Sequence, residues 1–120
     1  MTFDKANFEK VLATTPIIAI IRGVTPEEAV DIARAIHDAG VRIIETPMNS
    51  PQPLDSLRRI KAEFGDEMIV GVGTVLKPEI VDQAADAGAE IIVAPNTRAA
   101  VIRRAVERGA VPLPGFATAS

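Results

Sequence analysis

The sequence has no cysteine, tryptophan or tyrosine, a single histidine and only four aromatic residues in 120. Without cysteine there is no disulfide frame, no thiolate metal site and no thiol nucleophile. The lone histidine, His37, has no carboxylates at ligand spacing, so it builds no metal site and reads as a solvated helix residue. Ser56 and Ser120 therefore lack a histidine partner, which excludes a serine triad. No apolar run approaches the ~20 residues needed to span a membrane. The first ten residues, MTFDKANFEK, carry acids and no apolar core, so no secretory segment is read there and a cytoplasmic location is expected. The net charge is −3 with the two signs interspersed. No basic stripe exists to neutralise phosphates, so nucleic acid is not an expected partner.

What is present is aliphatic. Nearly half the residues are apolar, and with Phe3, Phe8, Phe64 and Phe116 as the only aromatics the core must be built from Ile, Val, Leu and Ala. That composition suits a parallel sheet covered by helices, and the length suits one domain, residues 1–120. Phe3, Phe8, Val11 and Leu12 predict a lead-in helix over 2–13, stopped by Pro16. Ile17–Ile21 then reads as a short strand buried on both faces. Thr25-Pro26-Glu27-Glu28 is a capping-box pattern with proline at the first helical position, opening a helix that Gly40 closes.

The same unit recurs. Strands are predicted at Ile43-Ile44, Met68–Val72, Ile91–Ala94 and Val111–Phe116, with helices over Pro53–Phe64, Pro78–Ala87 and Thr97–Arg108. The helix-closing glycines Gly40, Gly65, Gly88 and Gly109 lie 25, 23 and 21 residues apart. Strand–helix units at that spacing mean right-handed crossovers and a parallel sheet. Four βα units and a fifth strand are too few to close an eight-stranded barrel. Two architectures remain at this stage: a truncated (βα)8 TIM barrel, or a flavodoxin-like open doubly wound sheet.

Chemistry in such folds gathers at the carboxyl ends of strands. Val41–Ser50, VRIIETPMNS, runs two apolar residues directly into Glu45, an acid placed for chemistry, or else for an ion pair or a helix cap. Arg22 ends the first strand and is able to fork onto a carboxylate or phosphate, or to pair with Glu45 itself. Gly71 and Gly73 give a ligand access to the backbone or relieve crowding, and Thr74 adds a hydroxyl. Leu76 stands where a dinucleotide fingerprint needs its third glycine, which rules out a Rossmann site. Pro95-Asn96 and Pro114-Gly115 end the last two strands. Arg98, Arg103, Arg104, Glu107 and Arg108 read as a solvated helix face. Of four lysines, Lys5 and Lys10 fall in the lead-in helix, Lys61 on a helix surface and Lys77 at a helix start. None is flanked by apolar strand residues that would desolvate the amine for imine formation.

In order and spacing, IIAIIRG, IIETPMNSP, VGVGTVLKPE, IIVAPN and LPGFATAS resemble the 2-keto-3-deoxy-6-phosphogluconate/6-phosphogalactonate aldolases. Asn49-Ser50-Pro51 after the acid looks closer to the phosphogalactonate branch. The resemblance implies a (βα)8 barrel, a homo-oligomer that is usually trimeric, and cofactor-free class I cleavage of a keto-deoxy phospho sugar acid to pyruvate and glyceraldehyde 3-phosphate. It further implies that Glu45 is the general acid/base, that Arg22 and Thr74 contact substrate, and that Pro95 and Gly115 line the site. The family's Schiff-base lysine falls on the next strand, beyond Ser120, so the chain is expected to hold the acid/base half of the site without the nucleophile and to be inactive alone. The alternative expectation is a non-catalytic, self-associating half-barrel.

Overall fold

A computed structural model describes residues 5–118. The element order is α1 (Lys5–Thr14), β1 (Ile18–Ile20), α2 (Pro26–Asp38), β2 (Ile43–Pro47), α3 (Pro53–Phe64), β3 (Ile69–Gly73), α4 (Pro78–Asp86), β4 (Ile91–Ala94), α5 (Ala99–Glu107) and β5 (Val111–Pro114). The part of the expected lead-in helix before residue 5 lies outside the described residues. Three of the helices begin on proline, whose missing amide is one the first turn would leave unpaired anyway. At the start of α2 the Glu28 carboxylate accepts both the Thr25 amide at 3.1 Å and the Thr25 hydroxyl at 2.8 Å. Those hydrogen bonds hold the Glu28 carboxyl below its ordinary range. Gly40 and Gly88 follow α2 and α4 at φ +102° and +103°, a conformation that costs a side-chain-bearing residue.

All strand pairs are parallel, and the spatial order is β1-β2-β3-β4-β5. A doubly wound sheet reverses its order at a switch point. Here no reversal occurs, so the flavodoxin-like alternative is set aside. Successive right-handed crossovers in one direction put α2 to α5 on the same face, as in a (βα)8 barrel.

The core divides accordingly. Ile44, Val70, Val72 and Ile92 point outward into the layer formed with Ala29, Ala33, Leu57, Ile60, Val81, Val101 and Ala105 of the helices. Ile43, Ile69 and Ile91 point to the other face and pack with Phe8 of α1. All three open their strands, so α1 covers the amino end of the inner face. Side chains alternate along a strand, so Glu45, two residues after Ile43, faces inward as well.

Three expectations are corrected. The first strand is not buried on both faces: Ile17 is 52% and Ile20 58% exposed, because β1 is an edge strand and α1 covers only the amino end beside it. His37 is not solvated. Its ring lies 5.5 Å from that of Phe64, with Nδ1 3.3 Å from Asp38 and Nε2 3.8 Å from Glu67. The arginines of α5 are not all free either. Arg104 Nε donates to Asp82 at 2.8 Å, and Arg108 pairs with Asp82 at 2.9 Å and with Asp86, tying α5 to α4. Hydrogen bonding from Arg104 holds the Asp82 carboxyl below its ordinary range. Among the described residues no helix is long and apolar enough to cross a membrane.

Candidate functional site

The site is assembled where β1, β2 and β3 end. Glu45 is the third residue of β2, with Ile20 of β1 on one side and Gly71 of β3 on the other. It is 4% exposed, and its Oε2 is buried without a hydrogen-bond partner among the described residues. Burial penalises the charged form and raises the Glu45 pKa above its ordinary value, and the positive charge of Arg22 works against that rise.

Arg22 is exposed and closes no ion pair with Glu45 among the described residues. The ion-pair reading of this couple is therefore corrected: the guanidinium acts on the acid from a distance and stays available. Of the two roles open for the β3 glycines, space is the one they fill. A β-carbon on Gly73 would fall inside the Glu45 carboxylate, and one on Gly71 would strike the Ile91 carbonyl. The missing side chain at 73 is the volume the Glu45 carboxylate occupies. Thr74, next along, is half-buried at φ +57°, a left-handed conformation that a β-branched residue rarely adopts and that costs of order 1–3 kcal/mol.

Pro95 and Gly115 come together two strands further along. The Gly115 amide donates to the Ala94 carbonyl at 2.9 Å, and Thr97 Oγ1 donates to the Gly115 carbonyl at 2.6 Å. A β-carbon at 115 would stand 2.7 Å from the Pro95 carbonyl oxygen, so this approach requires glycine. Pro95 itself is exposed. Glu45, Arg22, Gly73 and Thr74 thus form one group and Pro95 with Gly115 another, both at the carboxyl edge of the sheet.

The lysines fall elsewhere. Lys5 and Lys10 ride on α1, at the amino end. Lys61 is not on a free surface: its Nζ pairs with Glu90 and donates to the Gly65 carbonyl at 3.1 Å, while Glu90 also accepts the Val70 amide at 3.2 Å. That network closes the amino end of β3. Lys77, ahead of α4, is the described lysine on the carboxyl side, and it is exposed. Among the described residues no three His, Asp or Glu side chains gather as metal ligands would.

Sequence reasoning missed Ser50, which is buried and whose hydroxyl accepts the Gly23 amide at 3.0 Å across 27 residues. A single serine after a turn gives no pattern that betrays such a contact.

Comparison with known proteins is consistent with this arrangement. The sequence profile of the aldolase family described as "KDPG and KHG aldolase" matches residues 8–120. The chain is 50% identical over 105 residues to 2-dehydro-3-deoxy-6-phosphogalactonate aldolase of Escherichia coli K12, covering 88% of this chain and 51% of that protein. A solved structure described as native KDPGal superposes with a TM-score of 0.85 at 44% identity, over 98% of this chain and 53% of the other. A cube-shaped, porous protein cage, designed by fusing symmetric oligomeric domains, contains a chain matching at TM-score 0.82 and 50% identity, over 84% of this chain and 37% of that one. The chain spans about half the length of the curated relatives it matches. Profile, identity and superposition agree that this chain belongs to the KDPG and KHG aldolase family.

Proposed function

We propose that this chain supplies the acid/base half of a class I aldolase site that cleaves a 2-keto-3-deoxy-6-phospho sugar acid, of the galactonate or gluconate series, to pyruvate and glyceraldehyde 3-phosphate. The observation that carries the reading is Glu45: a buried carboxylate with an oxygen unpartnered among the described residues, on the inner face of β2, with its proton affinity raised by burial. A general base works best when its pKa lies near the working pH, and desolvation moves a carboxyl that way. Retro-aldol cleavage requires a base to take the proton of the 4-hydroxyl as the C3–C4 bond breaks and to return one to C3. Glu45 fills that role. Arg22 and Thr74 contact the substrate, the arginine as an unpaired cation for a substrate anion, and Pro95 with Gly115 lines the far side. The name of the 50% identical relative favours the galactonate series.

The imine-forming amine is not among this chain's lysines. Lys61 is committed to Glu90, Lys5 and Lys10 lie at the wrong end, and Lys77 is exposed to solvent. The chain alone is therefore inactive, and borohydride reduction with pyruvate should leave its intact mass unchanged. Mixed with the part of the Escherichia coli aldolase that it does not match, it should restore cleavage, with the pyruvate adduct on the added part. An adduct on this chain, or no cleavage in the mixture, overturns the reading. A cytoplasmic location belongs to the same proposal.

A second reading rests on the edges. Ile17 before β1, Ile20 in it, and Phe116 past β5 at 70% exposure leave apolar surface along both edge strands. Such edges drive association, and the chain alone should scatter light at micromolar concentration with at least a dimer's mass. A monomer's mass removes the self-associating reading.

A further inference from the structure

The Asn49-Ser50-Pro51 segment has no part in the site proposed above, yet one of its residues is bonded to a loop that does. We propose that Ser50 is a positioning residue: its hydroxyl fixes the Arg22–Gly23 peptide and so holds the loop that carries Arg22 against the end of β2, the strand that carries Glu45.

The Ile21 amide donates to the Glu45 carbonyl at 3.1 Å, the last bond between the two strands. Ile21–Val24 then turns, with the Val24 amide 3.4 Å from the Ile21 carbonyl and Gly23, the third residue, at φ +83°. A positive φ there is the signature of a type II turn, which differs from type I by a flip of its central peptide. In this turn the central peptide is Arg22–Gly23. A closing bond of 3.4 Å is at the weak end of the range and selects poorly between the two forms. The Gly23 amide, however, donates to Ser50 Oγ at 3.0 Å, and Ser50 is only 7% exposed.

Ser50 is itself anchored. Its amide donates at 3.0 Å to the carbonyl of Pro47, the last residue of β2. The hydroxyl therefore ties the loop carrying Arg22 to the strand carrying Glu45. Arg22 has no side-chain hydrogen bond among the described residues, so what keeps it at this edge is the placement of its loop. Losing the hydroxyl would take from the part-buried Gly23 amide its partner on the β2 side and free the loop that carries Arg22 to shift away from the end of β2.

The proposal takes from the aldolase reading only that Arg22 serves at this edge, and its test needs no catalysis. The test follows the Glu45 side-chain carboxyl by 13C NMR titration in the chain as it stands. Arg22 is the charge that acts on Glu45. Ser50→Ala should move the Glu45 midpoint upward, in the same direction as Arg22→Met, and the double variant should move it no further than Arg22→Met alone. Ser50→Thr, which keeps the hydroxyl, should titrate as the parent does. If Ser50→Ala fails to give a folded spectrum, Gly23→Ala breaks the same turn from the other side and should give the same upward shift. An unmoved Glu45 midpoint in the folded variant overturns the proposal, whatever Arg22→Met does. A failed aldolase reading would show instead in the trapping and reassembly experiment, with these titrations unaffected.

Discussion

In a barrel reassembled from this chain and the unmatched part of the Escherichia coli aldolase, Glu45→Gln should lower the rate of cleavage by about 10²–10⁴-fold, the usual contribution of a positioned acid or base. Pyruvate should still be trapped by borohydride on the added part, because glutamine leaves the amine and the cavity in place. Equal loss of trapping and cleavage would mean that Glu45 shapes the site and does not move protons. The same substitution should act oppositely on stability. Burial raises the folded-state pKa of Glu45 above the ordinary value of 4.5. The protonated form is thus the one the fold prefers, and its stabilising contribution is complete below that value and is lost as pH rises through the folded pKa. Above the folded pKa the parent carries a desolvated charge that the glutamine variant lacks. Glu45→Gln should therefore unfold at higher temperature than the parent at pH above the folded pKa, with the gap closing as pH falls through it. A constant gap across that range would show that ionisation of Glu45 is not its source.

Gly73→Ala carries the second large effect. The added methyl would occupy the volume of the Glu45 carboxylate. Overpacking of a closed interior costs about 1–3 kcal/mol, which urea unfolding of the chain would read directly. The cause is one side chain, so the cost should nearly vanish in a Glu45→Ala background, giving a coupling energy of about 1–3 kcal/mol in the double-mutant cycle. Gly71→Ala makes the contrast, since its neighbour is the Ile91 carbonyl and no truncation at position 45 makes room. An equal cost of Gly73→Ala in both backgrounds would refute the pairing of glycine with carboxylate. In the reassembled barrel Gly73→Ala should also depress cleavage, because the carboxylate can yield only by leaving its place.

Much of this was legible in the residues. Proline at helix starts, glycine after helix ends and short β-branched runs point to α2–α5 and β1–β5 to within a few residues, because each signal is local and steric. Strand order was not legible: sequential and doubly wound sheets share the same local signals, and only the pairing of β1 with β2 and of β2 with β3 separates them. The exposure of Ile20 was misread for the same reason, since an apolar run does not say whether its strand lies at an edge. At the site, Glu45 announced itself as an acid closing an apolar strand. The contact of Gly73 with that acid, the left-handed Thr74 and the Ser50 bond to Gly23 depend on how strands and loops meet in space, which no spacing in the chain encodes.

The sequential strand order also bears on how the molecule comes to be made. Ile18 pairs with Ile43, Ile43 with Ile69, Gly71 with Ile91 and Ile91 with Val111, so each strand finds its neighbour 20 to 26 residues further on. Loops of nearly equal length carry nearly equal closure entropies, because that cost grows only with the logarithm of length. Parallel sheets usually fold slowly because their partners are distant in sequence. Here each strand can dock as soon as its own βα unit has left the ribosome, onto a sheet whose growing edge is always the strand made last. A doubly wound sheet has to change edge partway through. A sequential sheet lets the order of synthesis and the order of assembly coincide, with β1 free to meet β2 before β5 has been translated.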